Sequence, residues 1–455
     1  MELGGKSVSV EQIKLTFKEK VGYGLGDTAS NLYFQMFINF LLFFYTDVFG
    51  IPAAAAGTML MISRFWDAAN DPMMGIIADR TNTKWGKFRP YLIWISAPIA
   101  IIGVLTFTTP NLSVAGKIVY AYITYTLMMM AYTAINIPYS ALMGVLSPDS
   151  SERTSVSTFR FVLAFVGAFI VQGLTLPMVK FFGGENKAIG FPMTMAVYGV
   201  LAGFLFYMTF RTTRERVQPP SSQHTSLKND FKDLLENRPW MILLVMGIFS
   251  LGYVVVRSGT IMYYFKYYIG NEDLASLFMV TGTVAVIVGV ACTQFLAKKF
   301  GKRKLYIAVM AGSTLLTILF YFIPKEQIIF IFLINILTVL IMAPQAPLLW
   351  AMYADTADYS EWKNNRRATG LVFSAATFAQ KFGIALGGGL AGWLLAMFGF
   401  VPNVAQSPDT LNGIKLMMSF IPAIGSVVAT VAAFFYELDD NTMKQIELDL
   451  QKRKK

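Results

Sequence analysis

The chain has 455 residues, 55% hydrophobic and only 14% charged, with a formal net charge of +11. Soluble globular chains carry about 25% charged residues, so an ordinary soluble protein of this length is excluded and much of the surface must face lipid. One cysteine, Cys292, excludes an intrachain disulfide and any cysteine-rich metal or iron–sulfur site.

The opening MELGGKSVSVEQIKLTFKEK has neither an apolar core nor a small-residue cleavage signal, so no removable signal peptide is expected. Apolar runs then recur at about 22–48, 53–78, 91–110, 117–145, 155–182, 191–210, 239–269, 273–297, 304–323, 327–354, 366–398 and 412–437. Most exceed the roughly 20 residues that cross a bilayer as helix. Backbone groups in lipid must be paired internally, so the runs are predicted as helices; the alternating ten-residue segments of a β-barrel do not occur. An all-α polytopic membrane protein with twelve transmembrane helices is expected.

The basic residues orient it. With a cytoplasmic N-terminus, 28 Lys and Arg fall in inside segments and 6 (Lys117, Lys180, Lys187, Lys266, Lys325, Lys415) in outside segments. That bias places both termini in the cytoplasm. It also accounts for the positive charge without nucleic acid and favours anionic lipid headgroups. The longest polar connector, 211–238, contains the only histidine, His224, which reads as a loop residue. It divides the chain into a six-helix bundle at 1–210 and another at 239–437, with a cytoplasmic tail at 438–455 that is read as soluble and partly helical. ADRTNTKWGKFRPY after the second span has a counterpart in AKKFGKRKLY after the eighth. GVLSPDSSERT after the fourth corresponds to ADTADYSEWKNNRRATG after the tenth. Two related bundles around a central cavity are a transporter architecture. Asp79 and Arg80 with Lys84 and Lys87 are expected to form a cytoplasmic latch between them, or to serve topology alone.

Seven ionisable residues lie deep in apolar spans: Asp27, Arg64, Asp67, Asp71, Arg160, Arg257 and Lys381. Each costs several kcal/mol there unless it faces protein or water. In the second span Asp67 and Asp71 are four apart and share a helix face with Asn70. Two dry carboxylates this close repel; a bound cation, for which carboxylate and amide oxygens are suitable ligands, or protonation of one acid, relieves the conflict. Arg64 is placed to pair with either acid when the cation leaves. A static salt-bridge network is the alternative. In the fourth span Tyr132 and Asn136 share a face suited to a sugar, an aromatic ring beside an amide, and Pro138 bends the helix. Asp27, after the glycines of GYGLGD, is placed to accept two hydroxyl hydrogens. The glycines between 383 and 392 leave a slender helix near Lys381, for tight packing or a sliding surface.

RFWDAANDPMMGIIADRT, KWGKFRPY, GYGLGDTASN, AYTAINIPYSAL, ADTADYSEW and AQKFG together resemble the glycoside–pentoside–hexuronide:cation symporters, the melibiose permease family within the major facilitator superfamily. The resemblance covers the whole chain. It implies a sodium site at Asp67, Asn70, Asp71 and Thr133, with H⁺ or Li⁺ as alternative coupling ions and no cofactor. It implies sugar contacts at Asp27 and roles near the sugar or cation for Tyr132, Arg160, Trp350, Thr377 and Lys381. Melibiose permease has an aspartate where this chain has Asn136 and a tryptophan where it has Ser140, so α-galactoside specificity is not carried over. The interior then holds three acids against four bases. That surplus suggests an anionic sugar such as a glucuronide, hexuronate or sulfonated sugar, with Arg257 as its anchor; the alternative is that Arg257 pairs with Asp67, Asp71 or a carbonyl.

The expected function is cation-coupled symport of a sugar or glycoside across the inner membrane by a chain that works as a monomer. H⁺-coupled symport of a neutral glycoside or pentoside, and a lipid carrier of the same fold, are the alternatives. A membrane enzyme lacks support: the one histidine is in a loop and the one cysteine lies in VACT.

Overall fold

The computed structural model describes residues 14–147, 150–216, 236–364 and 369–454, which are helical almost throughout. Lipid offers backbone amides no partners, and helices satisfy them within one segment. α1 (Phe17–Asn39) opens on a capping box in which Thr16 Oγ1 accepts the Glu19 amide and Glu19 accepts the Thr16 amide. It therefore starts five residues before the apolar run. It continues through Leu41–Phe43 into a π-helical turn, Phe44–Val48. There follow α2 (Ala53–Arg80), α3 (Tyr91–Thr106, broken at Ile95), α4 (Val114–Leu146), α5 (Ser150–Gly183) and α6 (Lys187–Thr212).

The second half of the chain supplies α7 (Arg238–Ile269, π-helical over Tyr264–Ile269), α8 (Asp273–Phe300) and α9 (Lys302–Phe320). It continues with α10 (Ile328–Lys363, with a turn at 343–344), α11 (Thr369–Met397), α12 (Pro408–Phe434, broken at Ser419) and α13 (Asp440–Lys454). Every predicted apolar run overlaps one of α1 to α12. Among the described residues, eight of these helices, α4 to α10 and α12, are long and apolar enough to cross a membrane. Three of the other four, α1, α2 and α11, carry the interior charges Asp27, Arg64, Asp67, Asp71 and Lys381, and α3 is short.

Glycine sets the closest helix crossings. A Cβ on Gly392 of α11 would lie 2.5 Å from the Ala53 carbonyl oxygen and 2.6 Å from Gly57 Cα of α2. One on Gly383 would lie 2.7 Å from the Ile248 carbonyl oxygen of α7. The glycine run thus packs α11 tightly between α2 and α7, and Trp393 Nε1 donates to Thr58 Oγ1 at 2.9 Å beside the crossing.

At the end of the molecule where α1 finishes and α2 begins, the two halves of the chain are bonded together. The Asp47 carboxylate, fully buried, accepts from Lys266 Nζ at 2.7 Å and from the Tyr267 hydroxyl. Asn403 donates to the Asp47 carbonyl at 2.7 Å, and the Thr46 and Tyr263 hydroxyls are 2.7 Å apart. Both π-helical turns are in this cluster. Lys187 adds an ion pair to Glu272 at 2.6 Å. Asp47, at the very end of the first apolar run, was not singled out by the sequence.

At the opposite end Lys20 pairs with Glu152 at 3.0 Å, Arg216 with Glu19, Lys302 with Asp355 and Arg238 with Glu437 at 2.8 Å, each pair within one half of the chain. In the loop that follows Asp79 and Arg80 of the expected latch, the Lys87, Phe88 and Arg89 amides donate to Glu215 at 2.8 to 3.0 Å, within the first half. Most of the 211–238 connector, His224 included, lies outside the described residues. The tail is helical from Asp440 and docks on the end of α10, Trp362 Nε1 donating to Asp449 at 3.2 Å and Arg453 to the Trp362 carbonyl at 2.9 Å.

Gly392→Ala should cost about 1–3 kcal/mol by overpacking, read as a lower melting midpoint of the purified protein in detergent. Gly144→Ala, at a glycine with nothing within 4 Å, should leave the midpoint in place. Equal midpoints for the two variants would contradict the tight crossing.

Candidate functional site

The interior charges meet in two clusters. In the first, α2, α4 and α11 converge. Four-residue spacing puts Asp67 and Asp71 on one face of α2. Thr133 of α4 faces them, its Oγ1 lying 2.7 Å from Asp67 Oδ1 and 3.1 Å from Asp71 Oδ1. The hydroxyl has one proton and serves one carboxylate at a time. On the other side Lys381 of α11 bonds to Asp71 Oδ2 and lies 3.1 Å from Asp67 Oδ2. Arg64, one turn before Asp67, is buried with Nη1 3.7 Å from Asp67 Oδ2. Two acids are therefore balanced by two bases, and the ammonium of Lys381 stands between the carboxylates. Asn70 is half-buried on the same helix and, among the described residues, makes no hydrogen bond to either acid. A cavity of about 30 Å³, large enough for a water molecule or two, adjoins Arg64 and is lined also by Phe37, Leu60, Tyr125, Gly259 and Gly388.

The second cluster joins α1, α4 and α5. Arg160 Nε donates to Asp27 Oδ2 at 3.0 Å, and its guanidinium lies 5.4 Å from the Tyr139 ring centroid. Tyr139 stacks on Tyr23 at 4.6 Å, and each hydroxyl donates to the other residue's carbonyl, at 2.8 and 3.0 Å. Tyr23, four residues before Asp27, and Tyr139, in the same motif as Asn136, were not singled out by the sequence. Asn136 accepts from Ser30 at 2.8 Å and donates to the Tyr132 carbonyl at 3.0 Å. The Tyr132 ring lies 6.5 Å from Phe34 of α1.

Thr377, exposed, is one turn before Lys381 on α11. Trp350 of α10 packs against Tyr353 with centroids 6.1 Å apart. Arg257 of α7 is buried and joins neither cluster: its guanidinium lies 5.4 Å from the Phe320 ring, and Nε and Nη2 have no hydrogen-bond partner. Among the described residues the alternative pairing of Arg257 with Asp67, Asp71 or a carbonyl is not found. The surplus base of the interior is thus Arg257. Among the described residues no group of three or more His, Cys, Asp or Glu is placed to hold a metal.

A family model described as MFS/sugar transport protein matches residues 22–440. Inner membrane symporter YicJ of Escherichia coli is 38% identical over 447 residues, spanning 97% of this chain and 96% of that one. The chain belongs to the glycoside–pentoside–hexuronide:cation symporter family. An isoprimeverose transporter of Lactiplantibacillus pentosus is 36% identical over 442 residues, 96% of this chain and 92% of that one. A glucuronide carrier protein homolog of Escherichia coli is 30% identical over 444 residues, 97% of each. The crystal structure of a D-xylose-proton symporter, at 15% identity, shares the fold with a TM-score of 0.67 over 92% of this chain and 97% of that one. This symporter-family chain is a multi-pass membrane protein and a carrier rather than an enzyme, and its activity is secondary-active symport of a sugar or glycoside.

Removing one partner of the Asp27–Arg160 pair leaves a half-buried charge unpaired, at a cost on the order of 1–3 kcal/mol. Asp27→Asn should lower the melting midpoint accordingly, and Asp27→Asn/Arg160→Gln should recover much of it. A double variant less stable than the sum of its single variants would contradict the pairing.

Proposed function

We propose that the chain couples entry of a sugar or glycoside to Na⁺, which binds at Asp67, Asp71, Asn70 and Thr133. The observation that carries this reading is the Lys381 ammonium between the two carboxylates: they already hold one positive charge, and hard oxygens around it suit a sodium ion. Na⁺ takes the place of that ammonium, with Asn70 turning to add its carbonyl oxygen. Lys381 then swings along its own face toward Thr377, where it reaches sugar hydroxyls. Sugar sits between Asp27, Arg160, Tyr132 and Asn136 on one side and Trp350, Thr377 and Lys381 on the other, with Arg64 keeping Asp67 balanced. Each ligand releases an interaction that opposes the other, so binding is mutually favourable.

In this reading α1 to α12 all cross the inner membrane as two six-helix bundles, residues 1–210 and 239–437, joined by 211–238. Both termini and the 438–455 tail are cytoplasmic, as the distribution of Lys and Arg supports, and the carrier works as a monomer. The bonded end around Asp47 is then the outer face, and the cleft is reached from the cytoplasm. Rocking about the α2–α11 crossing opens the outer face.

An anionic sugar is a second reading, favoured by the unpartnered guanidinium of Arg257. A buried charge without a counter-ion is costly, and a carboxylate or sulfonate accepts two parallel bonds from arginine. The glucuronide carrier homolog among the relatives fits that chemistry.

Cells expressing the carrier should accumulate at least one of a panel of radiolabelled glycosides in a Na⁺-dependent way. Asp71→Asn should abolish that accumulation; unchanged accumulation with unchanged sodium dependence would defeat the assignment, and collapse by a protonophore in the absence of Na⁺ would favour H⁺. Arg257→Gln should cut uptake of a glucuronide about 10-fold or more relative to its matched neutral glucoside. An equal loss for both removes the anionic reading.

A further inference from the structure

Arg257 faces away from the acids at the centre. Ser250, Tyr253 and Arg257 fall on one side of α7, and that side packs on α9. The Ser250 and Tyr306 hydroxyls are 2.8 Å apart, as are those of Tyr253 and Thr317. Val255 and Gly259, two residues to either side of Arg257, look the opposite way. They line the cavity beside Arg64, and a Cβ on Gly387 of α11 would lie 2.8 Å from Val255 Cβ. The guanidinium, 5.4 Å from the Phe320 ring of α9, therefore points into the second half of the chain.

What surrounds it there is short of negative charge. α7, α9 and α11 contain no Asp or Glu, and α12 has only Asp409, exposed in its first turn. Lys381, the other base within these spans, is met by Asp67 and Asp71 of the first half. Arg257 Nε and Nη2 are buried and, among the described residues, have no hydrogen-bond partner. The Tyr264 hydroxyl, seven residues later on the same side of α7, is buried and unpartnered in the same way. Its ring centroid is 5.4 Å from that of Phe320, so phenol and guanidinium flank one aromatic ring. Long side chains on a helix lean toward its N-terminus, which inclines Tyr264 toward Arg257.

A guanidinium offers five N–H donors and no acceptor, and a phenol adds an O–H. Burying that charge without a counter-ion is costly, and arginine does not lose its proton to escape the cost. One positive charge calls for one negative charge. The neighbouring rings supply positively polarised edges rather than the several further donors that the oxygens of a phosphate or sulfate need. We propose that Arg257 and Tyr264 hold a monovalent inorganic anion of chloride size inside the second half of the chain. An anionic sugar would leave the guanidinium bare whenever the carrier is unloaded; a resident ion neutralises it throughout the cycle and leaves Asp67 and Asp71 to the coupling cation. The site is independent of which sugar is carried.

The test is the melting midpoint of the purified full-length carrier in detergent, at fixed Na⁺ and ionic strength, as chloride or bromide replaces gluconate. The midpoint should rise and saturate with either halide. Arg257→Met should abolish the response. Tyr264→Phe, which removes one hydroxyl, should raise the half-saturating chloride concentration about 10-fold, and it carries the test if Arg257→Met does not fold. A midpoint that does not distinguish chloride from gluconate overturns the site, as does a halide response unchanged in these variants. A separate arm replaces gluconate with glucuronate. Glucuronate that competes with chloride in the wild type would assign the guanidinium to an anionic sugar and overturn the resident ion; chloride binding unaffected by glucuronate is the expected result.

Discussion

Asp67, Asp71 and Lys381 impose the strictest constraint on this molecule. Ionised groups withdrawn from water cost several kcal/mol each unless opposite charges and hydrogen bonds meet them. Neither carboxylate can be ionised beside the other without a positive charge between them. Lys381 supplies it from α11, some 310 residues away in sequence. The need to bring α11 to α2 explains the glycines at 57 and 392, since any larger residue would hold the two helices apart. Chemistry at the centre and packing at the crossing are one requirement.

The same constraint links binding to motion. In the proposed mechanism a tethered ammonium and a diffusing cation compete for one pair of carboxylates, so the occupant decides whether α11 is tied to α2 through charge. The halves of the chain are also joined at the Asp47 end, through Lys266, Tyr267, Asn403 and the Thr46–Tyr263 contact. Those bonds lie on the π-helical turns that close α1 and α7, where the helical ladder is already irregular; such turns are common at functional sites. Under that proposal coupling amounts to two equilibria, one at the centre and one at the Asp47 end, biased by the same ligands.

Much of this was legible in the sequence. Twelve apolar runs each overlap a helix, because length and composition alone determine that a segment prefers lipid. Asp27, Arg64, Asp67, Asp71, Arg160 and Lys381 stood out because charge in an apolar run is expensive, and the structure gathers them into two clusters. Their pairing was not legible. Which base meets which acid depends on helix rotation and crossing between distant segments, so Lys381 could be named but not assigned to Asp71. Arg257 shows the limit: its position suggested an acid partner or a substrate, and among the described residues no acid meets it; its guanidinium lies against Phe320. Asp47 was missed because a charge at the end of a span resembles a loop residue.

The most direct measurement is an experimental structure of the carrier with saturating Na⁺ and a bound glycoside. The expected result is density for one ion coordinated by Asp67, Asp71 and Thr133, with the Lys381 ammonium withdrawn from both carboxylates toward the sugar. Lys381 still bridging Asp67 and Asp71 in that doubly loaded state would contradict exchange of the two cations.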